Sequence, residues 1–167
     1  EGKCQVEVES EVAAFLHDHG ASVMTKLDSL RPKEQDDLAG ADGASDRMRR
    51  GIERLIDAGF GRPDEDGALR LGASFVSCRL NLEEIEDIWR FCRDHTIFPN
   101  MEVLTPTGRA GDELADAGLE TDEVQQYKSR LLELDRAEYG YDWLPYTPLA
   151  GSGCLQHLYS MYITTEG

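Results

Sequence analysis

Polar side chains follow three apolar segments of this sequence, at the points where strands are predicted to end. The side chains that are candidates for binding a polar ligand are Lys26, Asp28, Ser29, Ser77, Asn81, Thr107 and Arg109. They supply charged, amide and hydroxyl groups, which can donate or accept hydrogen bonds in several directions. In parallel β/α folds such groups lie at the carboxyl ends of the strands. We therefore expect one polar-ligand site along a single rim of a sheet.

Each candidate also has a purely structural alternative. Asp28 and Ser29 have the residue types that make hydrogen bonds within turns. Asn81 is followed three residues later by Glu84, which is the spacing of a helix-capping box. Lys26 would be satisfied by a salt bridge to a neighbouring carboxylate. If the chain is instead part of an unrelated (β/α) barrel, such as an aldolase-like one, Lys26 is a candidate for forming a Schiff base with a carbonyl substrate.

The elements that must position these residues alternate between helix and strand. Helices are predicted over residues 10–19, 44–58, about 81–94 and 122–138 from apolar residues at helical spacing. Strands are predicted over residues 21–27, 69–76 and 100–104. Polar, Gly-rich loops are predicted over residues 28–43 and after the third strand. Single helices between strands predict an α/β fold with a parallel sheet.

Charge and hydropathy restrict the class of protein. The 167 residues carry a formal net charge of −16, which repels phosphate backbones and argues against a nucleic-acid partner. No apolar run reaches the roughly 18 residues of a membrane span, and no signal-peptide pattern precedes the first helix, so a cytoplasmic location is expected. Only four of the 17 basic residues are Lys. This composition is typical either of a halophile or of an acidic protein from a GC-rich genome.

The cysteines give one candidate metal ligand. Cys4, Cys78, Cys92 and Cys154 show no short paired spacing, and no two histidines stand at a metal-binding spacing. The first three are expected to be thiols of a reducing compartment. Cys154 lies in a Gly-rich segment, where the alternatives are a metal ligand and a free thiol.

Four segments of the chain resemble the second half of the radical S-adenosylmethionine (radical SAM) enzymes. Residues 51–59 read G-x-x-x-L-x-x-A-G, residues 81–85 read N-x-x-E-I, and residues 106–110 read P-x-G-R-A. The fourth segment, residues 23–40, resembles the fourth strand of that family and the loop after it. Residues 153–167, in which twelve residues separate Cys154 from Gly167, are similar to the opening of a SPASM or twitch auxiliary domain.

This resemblance implies a partial (β/α) TIM-like barrel. Residues 1–140 would be its last three β/α units, and residues 141–167 would begin the auxiliary domain. It implies an iron–sulfur oxidoreductase or maturase that cleaves S-adenosylmethionine to a 5′-deoxyadenosyl radical and abstracts hydrogen from a peptide, protein or cofactor precursor. A reductant such as ferredoxin or flavodoxin would supply the electron.

The resemblance also assigns roles to residues. The seven candidates named above would contact S-adenosylmethionine or the substrate, with Ser77 and Asn81 near the ribose and methionine and residues 104–106 near the adenine. Cys154 would ligate an auxiliary 4Fe–4S cluster. The C-x-x-x-C-x-x-C motif for the radical-generating cluster is absent from the 167 residues, so the chain alone is expected to be inactive. The alternative is a non-catalytic half-barrel that pairs with a second chain, since open sheet edges need a partner.

Overall fold

A computed structural model describes residues 8–104 and 109–143 of the chain. The chain divides into two compact units, Glu1–Leu119 and Glu120–Gly167. The first unit contains the sheet and all of the described candidate residues. None of the described helices is long and apolar enough to cross a membrane.

A parallel three-stranded sheet forms the centre of the first unit. Its strands are β1 (Val23–Lys26), β2 (Leu71–Ser77) and β3 (Phe98–Val103), arranged in the order β1-β2-β3. Val23 pairs with Leu71, and Gly72 pairs with Phe98. The predicted α/β class and the parallel sheet are confirmed, and each strand overlaps its predicted position.

The helices of the first unit follow the predicted alternation with two exceptions. They are α1 (Ser10–Asp18), α2 (Pro32–Ala39), α3 (Ala44–Leu55), α4 (Ile85–Asp94) and α5 (Arg109–Glu113), with a wider π-helical turn at Ile56–Phe60 and short 3-10 turns at Leu82–Glu84 and Ala115–Ala117. The prediction of loops at 28–43 and after β3 was wrong, because α2 and α5 lie there. Pro32 occupies the first turn of α2, where its missing N–H is not needed, and Gly40 ends the helix at a φ of 65°.

The sheet has one face covered by helices. Leu71, Ala73 and Phe75 of β2 point to this face and are fully buried. Phe75 packs edge-to-face against Trp89 of α4, with ring centroids 6.2 Å apart. The predicted buried stripe of α4 is confirmed in full: Ile85, Ile88, Trp89 and Cys92. Burial of this stripe holds α4 against the sheet.

The other face of the sheet is exposed at its two outer strands. Met24 on β1 and Phe98 on β3 are 56% and 48% exposed, which is unusual for large apolar side chains. Since side chains alternate along a strand and paired residues share a face, one surface is formed by Met24, Lys26, Gly72, Ser74, Phe98, Asn100 and Glu102. We call this surface the open face.

The second unit is built on α6 (Thr121–Leu134), which continues into a π-helical turn at Asp135–Tyr139. The predicted helix over residues 122–138 is confirmed. Its first turn is closed by the Glu120 backbone amide, which donates to the Glu123 carboxylate at 2.9 Å. Trp143 donates from its indole nitrogen to the buried Asp135 carboxylate at 2.8 Å.

Candidate functional site

An ion pair marks the carboxyl end of β1. The Lys26 ammonium lies 3.0 Å from Asp28 Oδ1; the Lys26 side chain is 49% exposed and the Asp28 side chain 7%. The same oxygen accepts a hydrogen bond from the backbone amide of Val76 at 2.8 Å. Asp28 therefore joins β1 to β2 and also pairs with the Lys26 ammonium, which stays half exposed.

Asn81 ties the ends of the same two strands together from inside the protein. Its side chain is fully buried. Its amide nitrogen donates to the carbonyls of Asp28 and Val76, both at 2.7 Å, and its oxygen accepts from the Cys78 amide at 2.9 Å. The alternative that Asn81 caps the following helix was wrong, because its side chain bonds the ends of β1 and β2 and makes no capping bond.

Glu84, the other half of the expected capping box, instead clamps the loop after β1. Its carboxylate accepts from the Ser29 hydroxyl at 2.6 Å and from the Leu30 amide at 3.0 Å. The Arg31 guanidinium adds two bonds to Oε1, at 3.2 and 3.1 Å. The hydrogen bonding of Arg31 to the Glu84 carboxylate raises the pKa of Arg31 further above its usual value. Ser29 is thus occupied by Glu84 and is itself almost fully buried.

The remaining predicted site residues lie apart from Lys26 and Asp28 or outside the described ranges. Ser77 is fully buried on the helix-covered face, where its hydroxyl donates to the Glu102 carbonyl at 2.8 Å. Thr107, Cys154 and the side chain of Arg109 lie outside the described residues. The loops after β2 and β3 do meet, because the Arg79 amide donates to the Ala117 carbonyl at 2.9 Å.

Three polar residues of the open face, Ser74, Asn100 and Glu102, were not among the predicted site residues. Ser74 donates from its hydroxyl to Glu102 Oε1 at 2.7 Å, and the Asn100 amide donates to the same oxygen at 3.3 Å. Ser74 is paired in the sheet with both Lys26 and Asn100. Lys26, Ser74 and Asn100 therefore form a row across all three strands, which we call the polar row, and the Glu102 carboxylate bonds to it. In the sequence, these residues are polar side chains at alternate positions of otherwise apolar strands. Such alternation indicates that one face of the sheet is more polar and more exposed to solvent than the other.

Among the described residues, one cavity lies beside β1 and another beside the loop that follows it. The first, about 390 Å³, is lined by Thr25, Lys26, Gln35 and Met48 among others. The second, about 320 Å³, lies between the Leu27–Leu30 segment, α3 and the end of α4, and its lining includes Arg49 and His95. Both volumes are within the range of small-molecule sites. The larger cavity brings the half-exposed Lys26 to a concave surface.

The two described thiols are poorly suited to binding metal. Burial raises the pKa of the Cys92 thiol to about 12 and raises that of Cys78 as well. A metal binds the thiolate, so such thiols are weak ligands. No group of three metal-ligating side chains occurs within residues 8–104 and 109–143.

Neither the comparison with protein-family models nor the search of curated proteins finds a match for this chain. Its chemistry must therefore be inferred from its own residues. The described site offers a rigid rim held by Asp28, Asn81 and Glu84, with an accessible ammonium at Lys26 and an accessible carboxylate at Glu102. Such a site can bind and orient a zwitterionic or hydroxyl-rich ligand.

Proposed function

We propose that this chain forms the last three β/α units of a radical SAM partial barrel and that its open face lines the barrel interior. The parallel sheet supports this proposal, because a barrel wall needs helices on one face and ligand-facing side chains on the other. The order of helices and strands agrees with the family pattern that the sequence resembles. The substrate would be a peptide, protein or cofactor precursor, and the electron donor a ferredoxin or flavodoxin.

Lys26 at the rim is the observation that carries the proposal. S-adenosylmethionine has a carboxylate, an ammonium group and ribose hydroxyls. The Lys26 ammonium is half exposed at the carboxyl end of β1, so it can donate to the carboxylate of such a ligand. Asp28 keeps the ammonium in place from the buried side. The residues present therefore fit the amino-acid part of S-adenosylmethionine.

The structure divides the predicted site residues into two groups by their accessibility. Asn81, Ser29 and Ser77 are buried and bonded to other parts of the protein. We assign to them the task of holding the strand ends in place, since a site positioned by satisfied buried groups needs little rearrangement on binding. Ligand contact belongs to Lys26, Asn100 and Glu102, whose side chains are at least partly exposed.

The iron–sulfur part of the proposal depends on residues beyond those described. When bound, a 4Fe–4S cluster supplies the electron that cleaves S-adenosylmethionine to a 5′-deoxyadenosyl radical. We propose Cys154 as a ligand of an auxiliary cluster because residues 153–167 are similar to the opening of a SPASM or twitch domain. Within the chain, the task of Lys26 and Asp28 is to bind and orient the cofactor.

Titration of the ¹⁵N-labelled chain with S-adenosylmethionine, followed by NMR, tests this function. We expect the amide signals of Lys26, Asp28 and Val76 to shift with bound ligand. Lys26→Ala should weaken binding about fivefold to tenfold, because one half-exposed charge-assisted hydrogen bond is lost.

Lys33→Ala is the matched control, because Lys33 is exposed and forms an ion pair with Asp37 on α2. Its affinity for S-adenosylmethionine should equal that of the unmodified chain. Absence of shifts at the β1 rim, or equal losses in the two variants, would overturn the proposed function.

A further inference from the structure

The Glu102 carboxylate on the open face is oriented by hydrogen bonds but pairs with no cation among residues 8–104 and the described side chains of 111–143. Ser74 and Asn100 both donate to its Oε1, at 2.7 and 3.3 Å, and both donors are neutral. Neither a Lys nor an Arg of the described residues forms an ion pair with Glu102. The side chain is exposed on β3. One carboxylate oxygen is thereby fixed, while the other is available to a ligand.

An apolar shelf adjoins this carboxylate. Phe98 and Met24 are both exposed on the same face, at 48% and 56%. Met24 extends across Gly72, since a Cβ added at Gly72 would meet the Met24 sulfur and methyl at 2.7 Å. Glu102 itself is four residues past Phe98, roughly 13 Å along the strand. Its carboxylate, however, bonds Ser74 and Asn100, whose row lies two residues, roughly 6.6 Å, past Met24 and Phe98. An apolar stem and a polar end, separated by about this length, would match the surface.

We propose that the open face binds an aliphatic primary ammonium group, such as the side chain of a substrate lysine, with the ammonium on Glu102 and the methylenes on Phe98 and Met24. A lysine stem spans roughly 6 Å, which suits the spacing of shelf and carboxylate. The net charge of −16 adds a long-range attraction for cations. Because it names the substrate class of the reaction proposed above, this inference rests on the proposed function.

Charge complementarity selects this occupant over an anionic one. Glu102 on β3 is paired with none of the described cations, whereas Lys26 on β1 is paired with Asp28 at 3.0 Å and keeps a half-exposed ammonium for a ligand carboxylate. A ligand carboxylate placed beside Glu102 would instead meet a like charge. A ligand ammonium there gains a charge-assisted bond to an acceptor that Ser74 and Asn100 already hold in place.

Two model compounds that differ by one ammonium group test the inference by NMR. N-acetyl-lysine methylamide and N-acetyl-norleucine methylamide share the same straight stem, and only the first is cationic. We expect the lysine compound to shift the amide signals of Ser74, Asn100 and Glu102 and the Met24 methyl signal. Glu102→Gln should weaken its binding about tenfold, and norleucine should bind weakly to both forms.

Two further variants separate this site from general attraction to an acidic surface. Glu65→Gln removes an exposed carboxylate from a turn and should leave the affinity for the lysine compound unchanged. Phe98→Ala should weaken the binding of both compounds, because it removes the shelf. Equal binding of the lysine compound by Glu102→Gln, or shifts spread evenly over exposed carboxylates, would overturn the inference.

The same titrations distinguish this inference from the proposed function. If S-adenosylmethionine does not bind but the lysine compound binds through Glu102, the cofactor proposal falls and the ammonium site stands. If Glu102→Gln weakens binding of S-adenosylmethionine and not of the lysine compound, the ammonium recognised is that of the cofactor. That result would overturn the inference while supporting the proposed function.

Discussion

The Ser29 hydroxyl donates a hydrogen bond of 2.6 Å to the Glu84 carboxylate, although the two residues are separated by 55 positions in sequence. Ser29 follows β1, and Glu84 immediately precedes α4. Both side chains are almost fully buried. The contact therefore fixes the loop after β1 against the start of α4, beside the rim that carries Lys26.

Replacing Glu84 should destabilise this rim. Glu84→Ala leaves the buried Ser29 hydroxyl and the Leu30 amide without their acceptor, which should lower the free energy of unfolding by about 2–4 kcal/mol. Urea unfolding followed by circular dichroism measures the change. The exposed neighbour Glu83 gives the control, and Glu83→Ala should change stability by less than about 0.5 kcal/mol. Similar losses in the two variants would show that the clamp contributes little.

The apolar strands and helices of the first unit were predictable because burial gives each a local pattern. β2 reads as an almost unbroken small and apolar run, which is typical of a strand buried on both sides. The α4 stripe has helical spacing. By contrast, α2 has one buried residue, Gln35, whose side-chain oxygen accepts from the amides of Asp28 and Ser29 at 2.8 and 2.9 Å. Because α2 has no apolar residues at helical spacing, hydrophobic periodicity does not predict it.

The site was less predictable, because its decisive bonds join residues that are distant in sequence. Asn81 and Glu84 have the local spacing of a capping box, yet both side chains bond the β1 end more than 50 residues away. The salt bridge of Lys26 was foreseen as an alternative, since a charged group at a strand end needs a partner. The role of Ser74 and Glu102 depends on which face of the sheet the helices leave uncovered. The sequences of the three strands do not specify which face the helices cover.

The buried thiols should be chemically unreactive in the folded chain. With its pKa raised to about 12, Cys92 is ionised at pH 8 in only about one molecule in 10⁴, and burial also blocks access. We expect iodoacetamide to modify Cys78 and Cys92 slowly in buffer and rapidly in guanidinium at about 6 M, where most domains are unfolded. Peptide mass spectrometry measures the extent of modification. Rapid labelling of Cys92 without denaturant would contradict the buried position.

Asp36 should make stability depend on pH in the acid range. The backbone amides of Ser45 and Gly43 donate to its carboxylate, each at 2.7 Å, and lower its pKa below the ordinary value of 3.8. Because the pKa of Asp36 is lower in the folded chain than in the unfolded chain, its charged form stabilises the folded protein at pH values above the unfolded pKa. That contribution to stability is lost as the pH falls through the folded pKa. The difference in unfolding midpoint between the unmodified chain and Asp36→Asn should be full at pH 6 and should shrink below about pH 3.8.

The exposed Asp66 provides the control for this pH dependence. Asp66→Asn removes a carboxylate from a turn, and its difference from the unmodified chain should stay small across the same range. The measurement is urea unfolding at a series of pH values under constant ionic strength. A difference for Asp36→Asn that persists unchanged below pH 3 would contradict the assignment of the stabilisation to its charged form.

Added salt should raise the thermal stability of the chain. A net charge of −16 on 167 residues destabilises the compact state by self-repulsion. The screening length falls from about 10 Å at 0.1 M salt to about 3 Å at 1 M, so the repulsion between exposed carboxylates is largely removed. Thermal unfolding in increasing KCl should therefore show a rising midpoint. Combined replacement of the exposed Glu65, Asp66 and Glu83 by their amides should raise the midpoint at low salt and reduce the response to KCl. A midpoint that is independent of KCl, or equal responses of the two proteins, would show that surface repulsion does not limit the stability of this fold.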